Sequence, residues 1–117
     1  MTRRVRVLLA EMTPDDAETM RLARALRDSG VEVVYTAAST AEEIVMAAVQ
    51  EDVHAIGLVA GTAEQRKVCV ELPGLTRDIV VFATTDGGGP ALLESGVQVV
   101  FGHDAVDELT VWAAKLA

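Results

Sequence analysis

The residues able to do chemistry fall in short breaks within a largely apolar chain. Glu11, Thr13, Asp15 and Asp16 lie within six positions of one another. Carboxylates so spaced could hold a hard cation, and acid ahead of a helix is also what the helix dipole favours. Ser39, Thr62, Thr84, Thr85 and Asp86 add hydroxyls and one more carboxylate. Gly87-Gly88-Gly89 is either a flexible turn or a stretch whose amides come close to an anion. His103 is either a ligand or proton carrier, or a loop imidazole facing water. His54 reads as structural, Cys69 as a small hydrophobe on a helix face, and Met12, Met20 and Met46 as core or near-core filler.

Several chemistries lack their parts. Neither Gly-x-Gly-x-x-Gly nor Gly-x-x-x-x-Gly-Lys-Ser/Thr occurs, so a nucleotide-phosphate cradle has no support. No Ser/His/Asp or Cys/His set would be brought together by the strand order. The lone Cys69 makes neither an internal disulfide nor a zinc site.

The elements that must position these residues alternate in period. Val5 to Ala10, Val31 to Thr36, His54 to Val59, Ile79 to Ala83 and Val97 to Phe101 are nearly continuous Val/Ile-rich runs. Such runs predict strands buried on both faces, as in a parallel sheet. Between them the spacing is helical. Leu22, Ala25, Leu26 and Ser29 form one stripe, Ile44, Val45, Ala48 and Val49 a second, and Val106, Leu109, Ala113 and Leu116 another. Thr62 to Leu72 predicts a further helix stopped by Pro73-Gly74, and Pro90 to Ser95 a short one. Thr13-Pro14-Asp15-Asp16 reads as a capping hydroxyl with proline at the first helical position. Thr40-Ala41-Glu42-Glu43 has capping-box spacing, and Gly30 and Gly96 sit where helices should end. The expected fold is α/β: a flavodoxin-like (Rossmann-like) doubly wound, five-stranded parallel sheet of order 2-1-3-4-5 with helices on both faces.

Composition fits. The chain has 117 residues, half of them apolar, with 10 basic against 18 acidic side chains and a net charge of −8. One domain over 1–117, soluble and cytoplasmic, is expected. Excess acid argues against nucleic-acid or anionic-membrane partners, and no apolar run approaches the ~20 residues of a membrane span. In the expected sheet, ligands bind beyond the carboxyl ends of the strands. The loops there are Glu11 to Asp16, Ala37 to Thr40, Ala60 to Gln65, Thr84 to Pro90 and Gly102 to Asp104.

Several stretches carry a family likeness. Arg24 to Thr36 (RALRDSGVEVVYT), Ala41 to Val45 (AEEIV), Val49 to Leu58 (VQEDVHAIGL) and Gly96 to Gly102 (GVQVVFG) resemble cobalamin-binding domains. The likeness is greatest to the small subunit, or carboxyl-terminal domain, of methylmalonyl-CoA and isobutyryl-CoA mutases. That family detaches the lower base of the corrin and replaces it on cobalt with a histidine in an Asp-x-His-x-x-Gly loop after the first strand. Here the loop reads Glu11-Met12-Thr13-Pro14-Asp15-Asp16-Ala17-Glu18. Asp15 matches the family aspartate, the Gly-His pair is missing, and the family glycine falls near Glu18. A Ser-x-Leu after the third strand is replaced by Val59-Ala60-Gly61, and a Gly-Gly after the fourth by Ala83-Thr84, with glycines only at Gly87 to Gly89.

The resemblance implies a cobalamin site, for adenosylcobalamin, at Thr13, Asp15, Asp16, Val59, Gly61, Thr62, Ala83, Thr84, Thr85, Gly87, Gly88 and His103. All three motifs are altered, which predicts weak, atypical or no cobalamin binding; base-on binding needs no protein histidine and stays open. Catalysis in that family lies on a separate large subunit, so this chain alone is not expected to be an enzyme. Its expected partner is such a large subunit or a second copy of itself. Two other readings use the same fold. A small-molecule sensor or interaction module could bind a polar compound through Thr62, Thr84, Thr85 and Asp86. A receiver-like signalling domain would need an acceptor Asp at the end of the third strand and a Lys after the fifth, where this chain has Val59-Ala60-Gly61 and Gly102-His103.

Overall fold

The computed structural model describes residues 4–87 and 89–116. Strands β1 (Arg6–Glu11), β2 (Glu32–Ala37), β3 (Ala55–Val59), β4 (Val80–Thr85) and β5 (Val99–Gly102) alternate with helices α1 (Ala17–Asp28), α2 (Ala41–Glu51), α3 (Ala63–Glu71), α4 (Gly89–Glu94) and α5 (Val106–Ala114). All strand pairs are parallel, in the order β2-β1-β3-β4-β5. The doubly wound sheet expected from the sequence is therefore the observed one.

Alternation along the central strands divides the interior in two. Leu8, Ala10, Ile56, Leu58, Val81 and Ala83 point toward α2, α3 and α4, where Ile44, Ala48, Cys69 and Leu92 meet them. Val7, Leu9, Ala55, Val59 and Phe82 point toward α1 and α5, against Leu22, Leu26 and Leu109. Trp112 sets its ring edge-on to Phe82, with centroids 5.3 Å apart, and tilts against Phe101 at 5.8 Å. Gly30 and Gly96 end their helices at φ +94° and +108°, a region open to glycine at little cost. At the amino-terminal end of the sheet His54 Nδ1 accepts the Arg6 N–H at 3.0 Å, so this histidine is structural, as expected.

Three expectations need correction. The α1 helix is not capped by Thr13, nor does it begin at Pro14: Asp16 is the cap, and Asp15 before it has φ +58°. A carboxylate can serve more donors than a hydroxyl, and Asp16 accepts from Glu18 N, Thr19 N and the Thr19 hydroxyl. Met20 and Met46 are not filler; they are 51% and 66% exposed, because the buried stripes are Thr19-Leu22-Ala23-Leu26 and Ala41-Ile44-Ala48. Val49, expected in the second stripe, is 66% exposed as well.

Two predictions come from the core. A Cβ on Gly57 would overlap the Phe82 ring and lie 2.7 Å from Leu9 Cδ2. Gly57→Ala should therefore lower stability by about 1–3 kcal/mol, read from the urea midpoint. Cys69 is buried, and desolvation pushes its thiol up from 9.0 to about 12. The folded state then holds this proton more tightly than the unfolded chain. The stability so gained is complete below the thiol's ordinary value and is lost as pH rises toward about 12. Native protein at pH ~8 should leave a thiol reagent unreacted until denatured, and Cys69→Ala should flatten the alkaline loss of stability.

Candidate functional site

The strand ends place the loops, and one buried side chain ties them together. Gln65 lies in the first turn of α3 and is 6% exposed. Its Oε1 accepts the N–H groups of Gly61 and Thr62 at 2.9 and 3.0 Å, while Thr62 Oγ1 accepts from Gln65 N at 3.1 Å. This reciprocal box satisfies donors that a helix start leaves unpaired. The remaining end of the amide reaches across the sheet: Gln65 Nε2 donates to Asp16 Oδ2 at 3.1 Å. The caps of α1 and α3 are thus one network that ties the β1 and β3 loops together.

The neighbouring residues are equally committed. Val59, Ala83, Thr84 and Thr85 are all buried. Thr85 Oγ1 donates to the Ala60 carbonyl at 2.9 Å and accepts from Gly87 N at 3.1 Å, pinning the β4 loop to the end of β3. The Ala60 N–H donates to Thr84 O at 2.8 Å. Gly61 is half-buried beneath His103; a Cβ built on it would sit 3.5 Å from His103 Nε2 and 3.7 Å from Gln65 Oε1. The structure therefore brings Asp16, Gln65, Gly61, Thr62 and His103 to one place. Thr13, Asp15 and Gly87 are exposed at its margin, and Gly88 lies outside the described residues.

Glu11 leaves this group. Its carboxylate accepts the Tyr35 hydroxyl from the adjacent strand. Burial first, then the Glu11 hydrogen bond, hold that phenol above its ordinary range. With Glu11 on Tyr35 and Asp16 on the two caps, the three carboxylates of the first loop do not converge on a cation. Among the described residues no group of three or more His, Cys, Asp or Glu side chains could hold a metal ion.

The hub residue, Gln65, was absent from the expected set, although Thr62-x-x-Gln65 has the spacing of a capping box. The Glu11–Tyr35 pair carries no local signal, since strand order alone makes the two residues neighbours.

Replacing Gln65 by methionine keeps its length and leaves Gly61 N and Thr62 N without their acceptor, while Asp16 Oδ2 keeps the Thr19 hydroxyl. Stability should fall by about 1–3 kcal/mol. Combined with Asp16→Ala, the two losses should be less than additive in a double-mutant cycle by denaturant unfolding, because both substitutions remove one shared bond.

No protein-family model matches the chain. A stretch of 57 residues is 46% identical to the 2-hydroxyisobutanoyl-CoA mutase small subunit of Aquincola tertiaricarbonis, covering 46% of this chain and 42% of that subunit. The match thus spans less than half of the curated relative's length. Among solved structures, a cobalamin-binding protein from Desulfitobacterium hafniense superposes with a TM-score of 0.75 at 18% identity, over 94% of this chain and 60% of that one. A CheY-like protein, tadZ, from Pseudomonas aeruginosa gives 0.73 at 19%, over 95% and 92%. A signal receiver domain from Mycobacterium tuberculosis gives 0.71 at 17%, over 97% and 99%. The structural likenesses speak for the fold. Together with the 57-residue match, they bear out the resemblance to a cobalamin-binding domain of the mutase small-subunit type.

Proposed function

We propose that this chain is a small-subunit-type cobalamin domain whose cofactor site has closed, and which serves as the non-catalytic partner of an acyl-CoA mutase large subunit. The observation that carries this reading is the Gln65 bridge to Asp16, which joins the first and third loops. The family places its cobalt-ligating histidine on that first loop, and here the loop has none. Val59 and Thr84, standing where the family has the small residues of the nucleotide-tail slot, are buried within the chain's own packing. The residues present do not fit a base-off corrin with an inserted tail. The nearest imidazole, His103, comes from the opposite loop and lies over Gly61.

A receiver role has the same fold behind it but not the chemistry. Where the acceptor carboxylate would stand, Val59 and Ala60 are buried and apolar. The sensor reading loses one of its hydroxyls, because Thr85 Oγ1 is bonded within the loop.

Titration with adenosyl- and hydroxocobalamin, followed by visible absorbance, tests the closed site. The expected result is no saturable spectral change at micromolar concentrations. Tight binding with a base-off spectrum would overturn it, and loss of that spectrum in His103→Ala would name the substitute ligand. Sizing with a mutase large subunit tests the partner half of the reading: a co-eluting complex is expected, and separate elution would count against it.

A further inference from the structure

The α2 helix contains six consecutive apolar residues, Ile44 to Val49 (IVMAAV). Only part of that girth can face the sheet. Ile44 and Ala48 are buried, whereas Met46 and Val49 stand open to solvent. A helix apolar around most of its circumference lacks a cover when it lies in a water-facing layer. The exposed side chains are also not isolated. With Val45, and with Leu75 from the turn after α3, they line an apolar trough of about 390 Å³ bounded by Glu42 and Gln50.

Glu42 belongs to a second groove as well, of about 350 Å³ between α2 and α3, which carries Glu64, Glu71 and Lys67. The apolar trough therefore runs into one with three carboxylates and one ammonium. The first turn of α2 is acidic, and its last turn holds no basic residue to offset the helix dipole.

This pattern selects the occupant. Two copies meeting α2 to α2 would set these carboxylates against their own images. An anionic lipid surface or a nucleic acid meets the same repulsion, reinforced by the net charge of −8. We propose that the α2–α3 flank docks an amphipathic helix of another protein. Its apolar ridge enters the Met46–Val49–Leu75 trough, and its lysines or arginines meet Glu42, Glu64 and Glu71. The inference rests on this flank alone and stands whether or not a corrin binds at the strand ends.

The test titrates the full chain, by fluorescence anisotropy, with a peptide of about 18 residues built from leucine and lysine, the leucines spaced at i, i+3, i+4 and i+7. Saturable binding is expected, weakened about tenfold or more by Met46→Asp, Val49→Asp or Glu42→Lys. These side chains are already exposed, so circular dichroism should show the fold intact. Met20→Asp, at a similarly exposed methionine on the α1 side of the sheet, should leave binding unchanged. Undiminished binding to Met46→Asp, equal loss with Met20→Asp, or equal affinity for a peptide with glutamate in place of lysine would each overturn the proposal. So would a dimer of the protein alone that Met46→Asp dissociates, because the occupant would then be a second copy.

Discussion

The β3 strand has a neighbour on each edge and helices on each face, so no side chain from Ala55 to Val59 reaches water. Its five positions must then be apolar or glycine, and they can present nothing chemical until the strand ends. Each adjoining strand inherits part of the constraint. Leu9 and Phe82 close over Gly57 from the two sides, and Trp112 packs edge-on against Phe82 in turn. Two separate cores result, and every helix is held by the stripe it gives to one of them. Along β4 the polar residues, Thr84 and Thr85, come only at the carboxyl end.

What the strand ends do is decided by unpaired backbone groups. A helix starting at each loop brings donors that need acceptors, and at α1, α2 and α3 the loop side chains meet that need themselves. Asp16 serves α1, Thr62 and Gln65 serve α3, and Thr85 holds the turn before α4. Because Gln65 also donates to Asp16, the two helix starts are one hydrogen-bonded unit, and moving either loop would break the bond between them. A polar rim that looks well stocked for binding is thus largely spent on holding its own backbone.

The fold is legible in the sequence because doubly buried strands write themselves as unbroken Val/Ile runs, and the glycines at 30 and 96 mark helix ends that need a left-handed residue. Helix starts are less so. Thr13-Pro14 and Asp16 offer competing caps, and the carboxylate prevails because it serves three donors at once. Residue type misleads at Met20 and Met46, which share an apolar window with buried neighbours but lie off the buried stripe. The candidate site is the least legible part. Gln65 has a local signature at Thr62, but its partner Asp16 is 49 positions away, joined to it only by the crossover that sets β3 beside β1. No window of sequence contains both.

Tied strand-end loops and an open flank bear on one another. In a domain that binds at the top of its sheet, exposed apolar residues on a side helix would be an idle liability, since water contact with Met46, Val49 and Leu75 favours association of any kind. Here the top is bound up in caps and the side is not. The side surface also carries the means of limiting that association, because Glu42, Glu64 and Glu71 repel a second acidic copy while leaving the trough open to a basic helix. Recognition in this chain is then a matter of apolar fit at α2 gated by charge from α3. That kind of site needs no cofactor, no strained loop and no catalytic group, and it places no demand on the strand-end loops that Gln65 ties together.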